Sequence, residues 1–125
     1  MADIKLTAGV VVANGPSLAV SRSVTLDAYD SINVVVPAGG SKDVEVQPGG
    51  AGRVQLLFIL SSSYSDKLTY KINGGADAFA LDQPLLVAGH GGVALFTDPP
   101  TKLTFSNADT TDSAVQILVG RSVGA

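Results

Sequence analysis

The stretch RVQLLFILSS, residues 53–62, places five large apolar side chains in a row, from Leu56 to Leu60. It is much shorter than the ~20 residues that cross a bilayer as a helix, and it has the length of one strand. Such a strand is central in its sheet with both faces covered, or it has one face in the core and the other in a subunit interface. The segment SINVVVP, residues 31–37, has the same character.

Alternation of apolar and polar residues predicts strands in the segments around this stretch. In SKDVEVQPGG, residues 41–50, Val44 and Val46 share one face while Asp43, Glu45 and Gln47 share the other. This is the half-buried antiparallel pattern. Turn-forming runs of Asn, Gly and Pro separate such segments at short intervals, which is typical of an all-β sandwich or barrel.

The residues therefore predict one all-β domain over 1–125, a single-domain antiparallel β-sandwich with jelly-roll-like character and little or no helix. A short helical turn over 76–81 stays open, and Tyr70 is expected in a cross-strand pair. The expected strands are 4–12, 18–26, 31–36, 42–47, 52–60, 67–72, 85–88, 93–96, 102–106 and 114–119.

The composition excludes several classes of function. Hydrophobic residues make up 46% of the 125 residues and charged ones 15%, which is outside the disordered range. The eight basic residues are scattered and the net charge is −3, so neither a nucleic acid nor an anionic membrane surface is expected as a partner. The chain has no cysteine, which excludes disulfides and thiolate chemistry. From the N-terminal residues, no secretion signal is expected.

The single histidine is the first candidate for chemistry. His90 lies in LLVAGHGGVALF, residues 85–96, between Gly89 and the pair Gly91-Gly92. No G-x-S-x-G motif is present to expose a serine nucleophile, and the serines of SSSYSD, residues 61–66, suit a solvated turn. We interpret the segment as a glycine turn between two strands, in which Gly89 and the Gly91-Gly92 pair allow positive φ. No catalytic residue is predicted.

Metal and cofactor sites are not predicted either. One histidine without cysteine offers too few ligands for zinc or copper. Oxygen ligands for calcium occur at Asn107, Asp109 and Asp112, but the spacing lacks the EF-hand pattern. Asx-turns in a plain loop are the favoured interpretation of this segment.

The N-terminal segment ADIKLTAGVVV, residues 2–12, offers candidate interaction residues. Ile4 and Leu6 face one way while Asp3, Lys5 and Thr7 face the other. A first strand of the sheet is the favoured interpretation, and an arm that adds as a strand to a neighbouring protein is the alternative. The candidates for protein interaction are Ile4, Leu6, Val10, Val11 and Val12.

The C-terminal part of the chain resembles small virion proteins of tailed bacteriophages. The likeness covers residues 53–121 and is carried by PPTKLTFSNADTTDSAVQILVGRS (99–122), LTYKINGG (68–75) and QPLLVAGHGGVALF (83–96). It implies a capsid decoration or cement protein that binds the major capsid protein or another virion protein, resists internal DNA pressure, and forms a homotrimer within the virion after synthesis in the host cytoplasm.

Other functions compete with this one. A phage tail or head-fibre component, a carbohydrate-recognising ligand-binding or adhesion module, and a small hydrolase are the alternatives. The chain has no tryptophan and three tyrosines, which offers few aromatic platforms for a sugar. The hydrolase alternative has no catalytic constellation to support it.

Overall fold

A computed structural model describes residues 2–46, 54–89, 92 and 101–121 of the chain, with the side chain of residue 2 excepted. Ten β-strands lie in this described part. They are β1 (Ala2–Val11), β2 (Ser17–Leu26), β3 (Ala28–Val36), β4 (Ser41–Glu45), β5 (Val54–Ser61), β6 (Ser65–Ile72), β7 (Phe79–Leu81), β8 (Leu85–Ala88), β9 (Lys102–Asn107) and β10 (Ser113–Arg121).

Eight of the strands form two four-stranded antiparallel sheets. Sheet I has the order β3-β10-β5-β8 and sheet II has the order β4-β9-β6-β7. From β3 to β6 the chain changes sheet at every connection, and it does so again after β7, β8 and β9. This is the strand order of a jelly roll, a double sheet of two Greek keys. The predicted all-β antiparallel sandwich is confirmed.

The hydrophobic core lies between the two sheets. Ile59 and Ile117 are paired on the inner face of sheet I, and Leu103 and Phe105 come from sheet II. All four side chains are fully buried, and each such residue contributes roughly 1.5–3 kcal/mol to folding. The alternation expected in 41–47 is confirmed for Val44 and Val46, which are buried.

The strand β5 occupies the central position that its apolar sequence predicts. It lies between β10 and β8, with Leu57 and Ile59 in the core. The second apolar segment, 31–37, is different because β3 is an edge strand of sheet I. Its Val34 and Val36 face the core while Val35 is exposed, so a central strand with both faces covered is wrong there, and an outer face in a subunit interface stays a prediction.

Two further expectations concern residues 76–96. Residues 79–81 do not form part of a helical turn but the strand β7. This strand pairs with β6 through Tyr70 and Phe79. The centroid of the Tyr70 ring lies 5.8 Å from the ring centroid of Phe79 and 6.3 Å from that of Phe105. These distances confirm the cross-strand pairing expected for Tyr70. The strand expected at 93–96 lies outside the described residues.

The strands β1 and β2 form a hairpin of their own. They pair along their full length, from Ala2↔Leu26 to Val11↔Ser17, and no other described strand joins their sheet. The loop at the tip is closed by hydrogen bonds from Val12 N to Pro16 O and from Gly15 N to Val12 O, each 2.9 Å. Asn14 in this loop has a φ of 60°. The first strand therefore lies outside both sheets of the sandwich.

Candidate interaction surface

One face of the β1–β2 hairpin is apolar. The register places Ile4 opposite Val24, Ala8 opposite Val20 and Val10 opposite Leu18, all on one side. Arg22, opposite Leu6, is the one charged residue on this side. We call this surface the hairpin face; its apolar members are Ile4, Leu6, Ala8 and Val10 of β1 and Leu18, Val20, Val24 and Leu26 of β2.

The opposite side of the hairpin is mainly polar, as the alternation in β1 predicts. Asp3 lies opposite Thr25, whose hydroxyl donates a 3.0 Å hydrogen bond to the Asp3 carboxylate. Lys5 and Thr7 lie opposite Ser23 and Ser21. The hairpin is therefore amphipathic, with a period of two along each strand.

The hairpin face is covered at its base and bare towards its tip. Leu26 is 3% exposed, whereas Val10 is 63% and Leu18 71% exposed. At the base, a Cβ built on Gly120 would lie 2.3 Å from Leu26 Cδ1 and 3.6 Å from Ile4 Cδ1. The base of the hairpin thus rests on β10 where the absence of a side chain makes room for it.

The candidate residues of β1 are divided between the two sides. Ile4, Leu6 and Val10 lie on the hairpin face, with Ile4 and Leu6 half-buried. Val11 lies on the polar side, and Val12 follows the last residue of β1. Both of these valines are exposed.

The sequence reasoning above does not identify the β2 half of the hairpin face as an interaction surface. SLAVSRSVTL, residues 17–26, carries Leu18, Val20, Val24 and Leu26 at alternate positions. The signal that could have identified it is the Asn14-Gly15 turn, which is typical of a hairpin and would have paired this pattern with that of β1.

The outer face of sheet I continues the apolar surface at the hairpin base. Leu118, Phe58 and Leu86 form one cross-strand row, which we call the outer row. Leu118 and Phe58 are half-buried and Leu86 is 36% exposed. Beside this row Leu56 is buried, and its Cβ lies 3.1 Å from the position of a Cβ built on Gly120. The hairpin base therefore packs directly beside the outer row.

The outer faces of the two sheets differ in charge. In the described strands, the outer face of sheet I carries no Asp, Glu, Lys or Arg: its residues are Tyr29, Ser31, Asn33, Val35, Leu56, Phe58, Leu60, Leu86, Ala88, Ala114, Gln116, Leu118 and Gly120. The outer face of sheet II carries five: Asp43, Glu45, Lys67, Lys71 and Lys102. Thr104 donates a 2.8 Å hydrogen bond to Asp43, and Lys102 lies 4.0 Å from the same carboxylate. Sheet II thus presents a solvated face and sheet I an uncharged one.

The histidine segment is only partly described. His90 and Gly91 lie outside the described residues. Gly89 has a φ of +80°. Of the glycines expected to allow positive φ in this segment, Gly89 therefore adopts it.

The serine segment 61–66 forms a hydrogen-bonded turn. Ser61 N donates to the Tyr64 hydroxyl at 3.1 Å, and Ser63 N donates to Ser61 Oγ at 3.3 Å. The hydroxyls of Ser63 and Ser113 are 2.9 Å apart. These serines therefore join the turn to the start of β10.

The oxygen ligands considered for calcium organise a loop. Asn107 Oδ1 accepts a hydrogen bond from Asp109 N at 2.9 Å, which is an Asx-turn. Asp112 Oδ1 accepts one from Ala38 N at 2.9 Å. Within the described residues, no three acidic or histidine side chains come together as a metal site.

Comparison with known proteins identifies no family: no protein-family model matches the chain, and no curated protein matches it either. In the part of the chain that the structure describes, no helix has the length and apolar character needed to cross a membrane.

Proposed function

We propose that this chain is a structural virion protein, a decoration or cement protein of a tailed-bacteriophage head. In this role it binds the major capsid protein as a homo-oligomer, a trimer by the resemblance of residues 53–121, and stabilises the head through protein–protein contacts alone. It is made in the host cytoplasm and becomes part of the virion.

The observation that carries this proposal is the exposed apolar surface of the hairpin. Val10, Leu18 and Val20 are large apolar side chains with about half or more of their surface in solvent, and all three lie on one face. Contiguous apolar patches on a folded protein mark sites of interaction with other molecules. The uncharged outer face of sheet I adds to this, because charged residues are depleted at the centre of protein interfaces.

The fold supports the proposal by analogy. Jelly rolls occur in viral capsid domains, and also in lectins and cupins, so the architecture is compatible with a capsid role without selecting it. The resemblance of the C-terminal strands to phage virion proteins favours the capsid among these possibilities.

The test is reconstitution on phage heads that lack this protein. Purified chain is added to such heads, which are then sedimented and heated. We expect the chain to sediment with the heads in a fixed ratio to the major capsid protein, and the heads to release DNA at a higher temperature. Heads that already carry the protein are the control and should take up none. Failure of the chain to sediment with undecorated heads would overturn the proposal.

A further inference from the structure

We propose that the hairpin of one copy of this chain lies on the outer face of sheet I of a second copy. The free part of the hairpin face, towards Val10 and Leu18, would cover the outer row of Leu118, Phe58 and Leu86. This inference deepens the homo-oligomer of the proposed function by naming the contact between its copies, and it can fail while binding to phage heads stands.

The exposed apolar half of the hairpin favours a partner that is present from the time of folding. A two-stranded hairpin without a covered face is at best marginally stable in water. Here the base is held by Leu26 over Gly120, while the outer half has its apolar side exposed. The pairing of β1 and β2 nevertheless continues to Val11↔Ser17. A second copy is the one partner that accompanies the chain wherever it is made.

The charge distribution selects sheet I as the receiving surface. An arriving apolar face would have to desolvate whatever side chains it covers, and burying unpaired charges is costly. The outer face of sheet II carries Asp43, Glu45, Lys67, Lys71 and Lys102, whereas the described strands of sheet I carry no charge on theirs. Sheet I is therefore the face that the apolar part of the hairpin face, away from Arg22, can cover at low cost.

The chain already contains a small example of this contact. At its base the hairpin face packs Leu26 and Ile4 against the outer face of sheet I, over Gly120 and beside Leu56. The intermolecular contact would repeat this packing with the outer half of the hairpin and the adjacent outer row. Aliphatic side chains pack beside Leu56 at the base, and they would pack on Leu118, Phe58 and Leu86 in the intermolecular contact.

The dimensions of the two surfaces agree. The free part of the hairpin, from Leu6 to Val11, spans about 17 Å at ~3.4 Å per residue. A four-stranded sheet with neighbouring strands ~4.8 Å apart is about 19 Å wide with its outer strands included. The hairpin face and the outer face of sheet I are different surfaces, so the contact is heterologous. In a closed ring of copies, the hairpin face and the sheet face of every copy are covered.

The first experiment measures the mass of the protein in solution for charge variants of each surface. We expect the wild-type chain to be an oligomer, and Val10→Asp and Leu86→Asp each to weaken its assembly by about 30-fold or more, the effect of a central interface residue. The matched controls are Val11→Asp on the polar side of β1 and Ser106→Asp on the outer face of sheet II. Both should assemble like the wild type.

The second experiment traps the contact and does not depend on weakened assembly. Because the chain has no cysteine, introduced ones are its only thiols. Under mild oxidation, the double variant Val10→Cys/Leu86→Cys should form covalent oligomers, while either single substitution alone should not. Circular dichroism shows that each variant keeps its β structure.

Three results would overturn the proposal. A monomeric wild-type chain at micromolar concentration excludes the contact. Disulfide-linked dimers of Val10→Cys alone place hairpin against hairpin. An oligomer that tolerates both aspartates and forms no cross-link with the paired cysteines assembles through another surface. Each of these results leaves binding to phage heads to be decided by the reconstitution experiment.

Discussion

The side-chain amide of Asn107, at the end of β9 in sheet II, donates a 3.2 Å hydrogen bond to the main-chain carbonyl of Val36, at the end of β3 in sheet I. The same Nδ2 donates to Thr111 O at 2.8 Å, and Oδ1 accepts from Asp109 N. Asn107 is 2% exposed. One buried amide thus ties the two sheets together and holds the loop that leads into β10.

Replacement of Asn107 by Ala should destabilise the fold by about 2–3 kcal/mol, because it removes the side-chain hydrogen bonds to Val36 O and Thr111 O and from Asp109 N. Urea unfolding followed by circular dichroism measures this change. Asn33→Ala is the matched control: Asn33 is exposed on the outer face of sheet I, and its loss should stay within about 0.5 kcal/mol. Equal losses for the two variants would contradict the assigned role of Asn107.

Asn73 has a left-handed backbone conformation, and its side-chain oxygen accepts hydrogen bonds from three donors. Its φ is 55°, and its Oδ1 accepts from Thr101 N and Thr101 Oγ1 at 2.8 Å and from Lys102 N at 3.1 Å. We expect Asn73→Gly to cost about 1–2 kcal/mol through the lost hydrogen bonds, and Asn73→Ala to cost about 1 kcal/mol more through backbone strain.

Thermal or urea unfolding of the two Asn73 variants separates these contributions. Asn14→Gly is the control, since Asn14 has a similar φ of 60° but lies exposed at the tip of the hairpin. Its replacement should change the free energy of unfolding by less than about 0.5 kcal/mol. A loss in Asn73→Gly no greater than in this control would show that the acceptor contributes nothing.

Gly120→Ala should crowd the contact between the hairpin base and β10. The added Cβ would lie 2.3 Å from Leu26 Cδ1, which would have to shift, and 3.1 Å from Leu56 Cβ, a tight contact. We expect a loss of about 1–3 kcal/mol from overpacking. In Gly9→Ala, the control, the new Cβ would be 3.7 Å from Leu18 O, an ordinary contact.

A second substitution tests the cause of the Gly120→Ala effect. Leu26→Ala removes the atoms that clash, so the double variant should lose less stability than the sum of the two single changes, by about 0.5 kcal/mol or more. Unfolding curves of the four proteins give this coupling free energy. Strict additivity would mean that the damage arises elsewhere on β10.

Stability at alkaline pH should depend on Tyr70. Burial of its ring in the core raises the pKa of Tyr70 above the usual 10.0, and the negative charge of Asp82 adds to this. The folded state therefore holds the phenolic proton more tightly than the unfolded state. The resulting stabilisation is complete below pH about 10 and is lost as the pH rises from there through the folded-state pKa.

Tyr70→Phe should remove this part of the alkaline pH dependence while keeping the aromatic contacts to Phe79 and Phe105. The measurement is the free energy of unfolding between pH 8 and pH 11 or so, taken as the difference between wild type and variant. Tyr29→Phe is the control, because the ring of Tyr29 is largely exposed. Parallel curves for wild type and Tyr70→Phe would refute the prediction.

The periodicity of the sequence predicts which face of a strand is apolar better than it predicts which strands lie side by side. The alternation of Ile4 and Leu6 with Asp3 and Lys5 correctly indicates one apolar and one polar side of β1. It does not indicate which strand lies beside β1, because a period of two is the same in a hairpin and in a larger sheet. The Asn14-Gly15 turn favours β2 as the neighbour of β1, but whether a further strand joins this pair depends on non-local packing that the pattern leaves open.

The same limit explains the differences at β3 and β7. The apolar run Val34–Val36 does not distinguish a central strand from an edge strand whose outer side chain, Val35, remains exposed. The strand β7 has three residues, too few for a period, and it exists through its pairing with β6. Where long segments alternate between turn residues, as in β4 and β10, the predicted strands lie within two residues of the observed ends.

The bare backbone of Gly120 also sets the direction in which the hairpin points. Val11 lies about 24 Å along β1 from Ile4, at ~3.4 Å per residue, so a tilt of about 5° at the base moves the tip by about 2 Å. A small change in the packing at Gly120 is therefore amplified at the tip of the hairpin. In the ring that we propose, a methyl group added there would change the angle between successive copies, and with it the diameter of the ring.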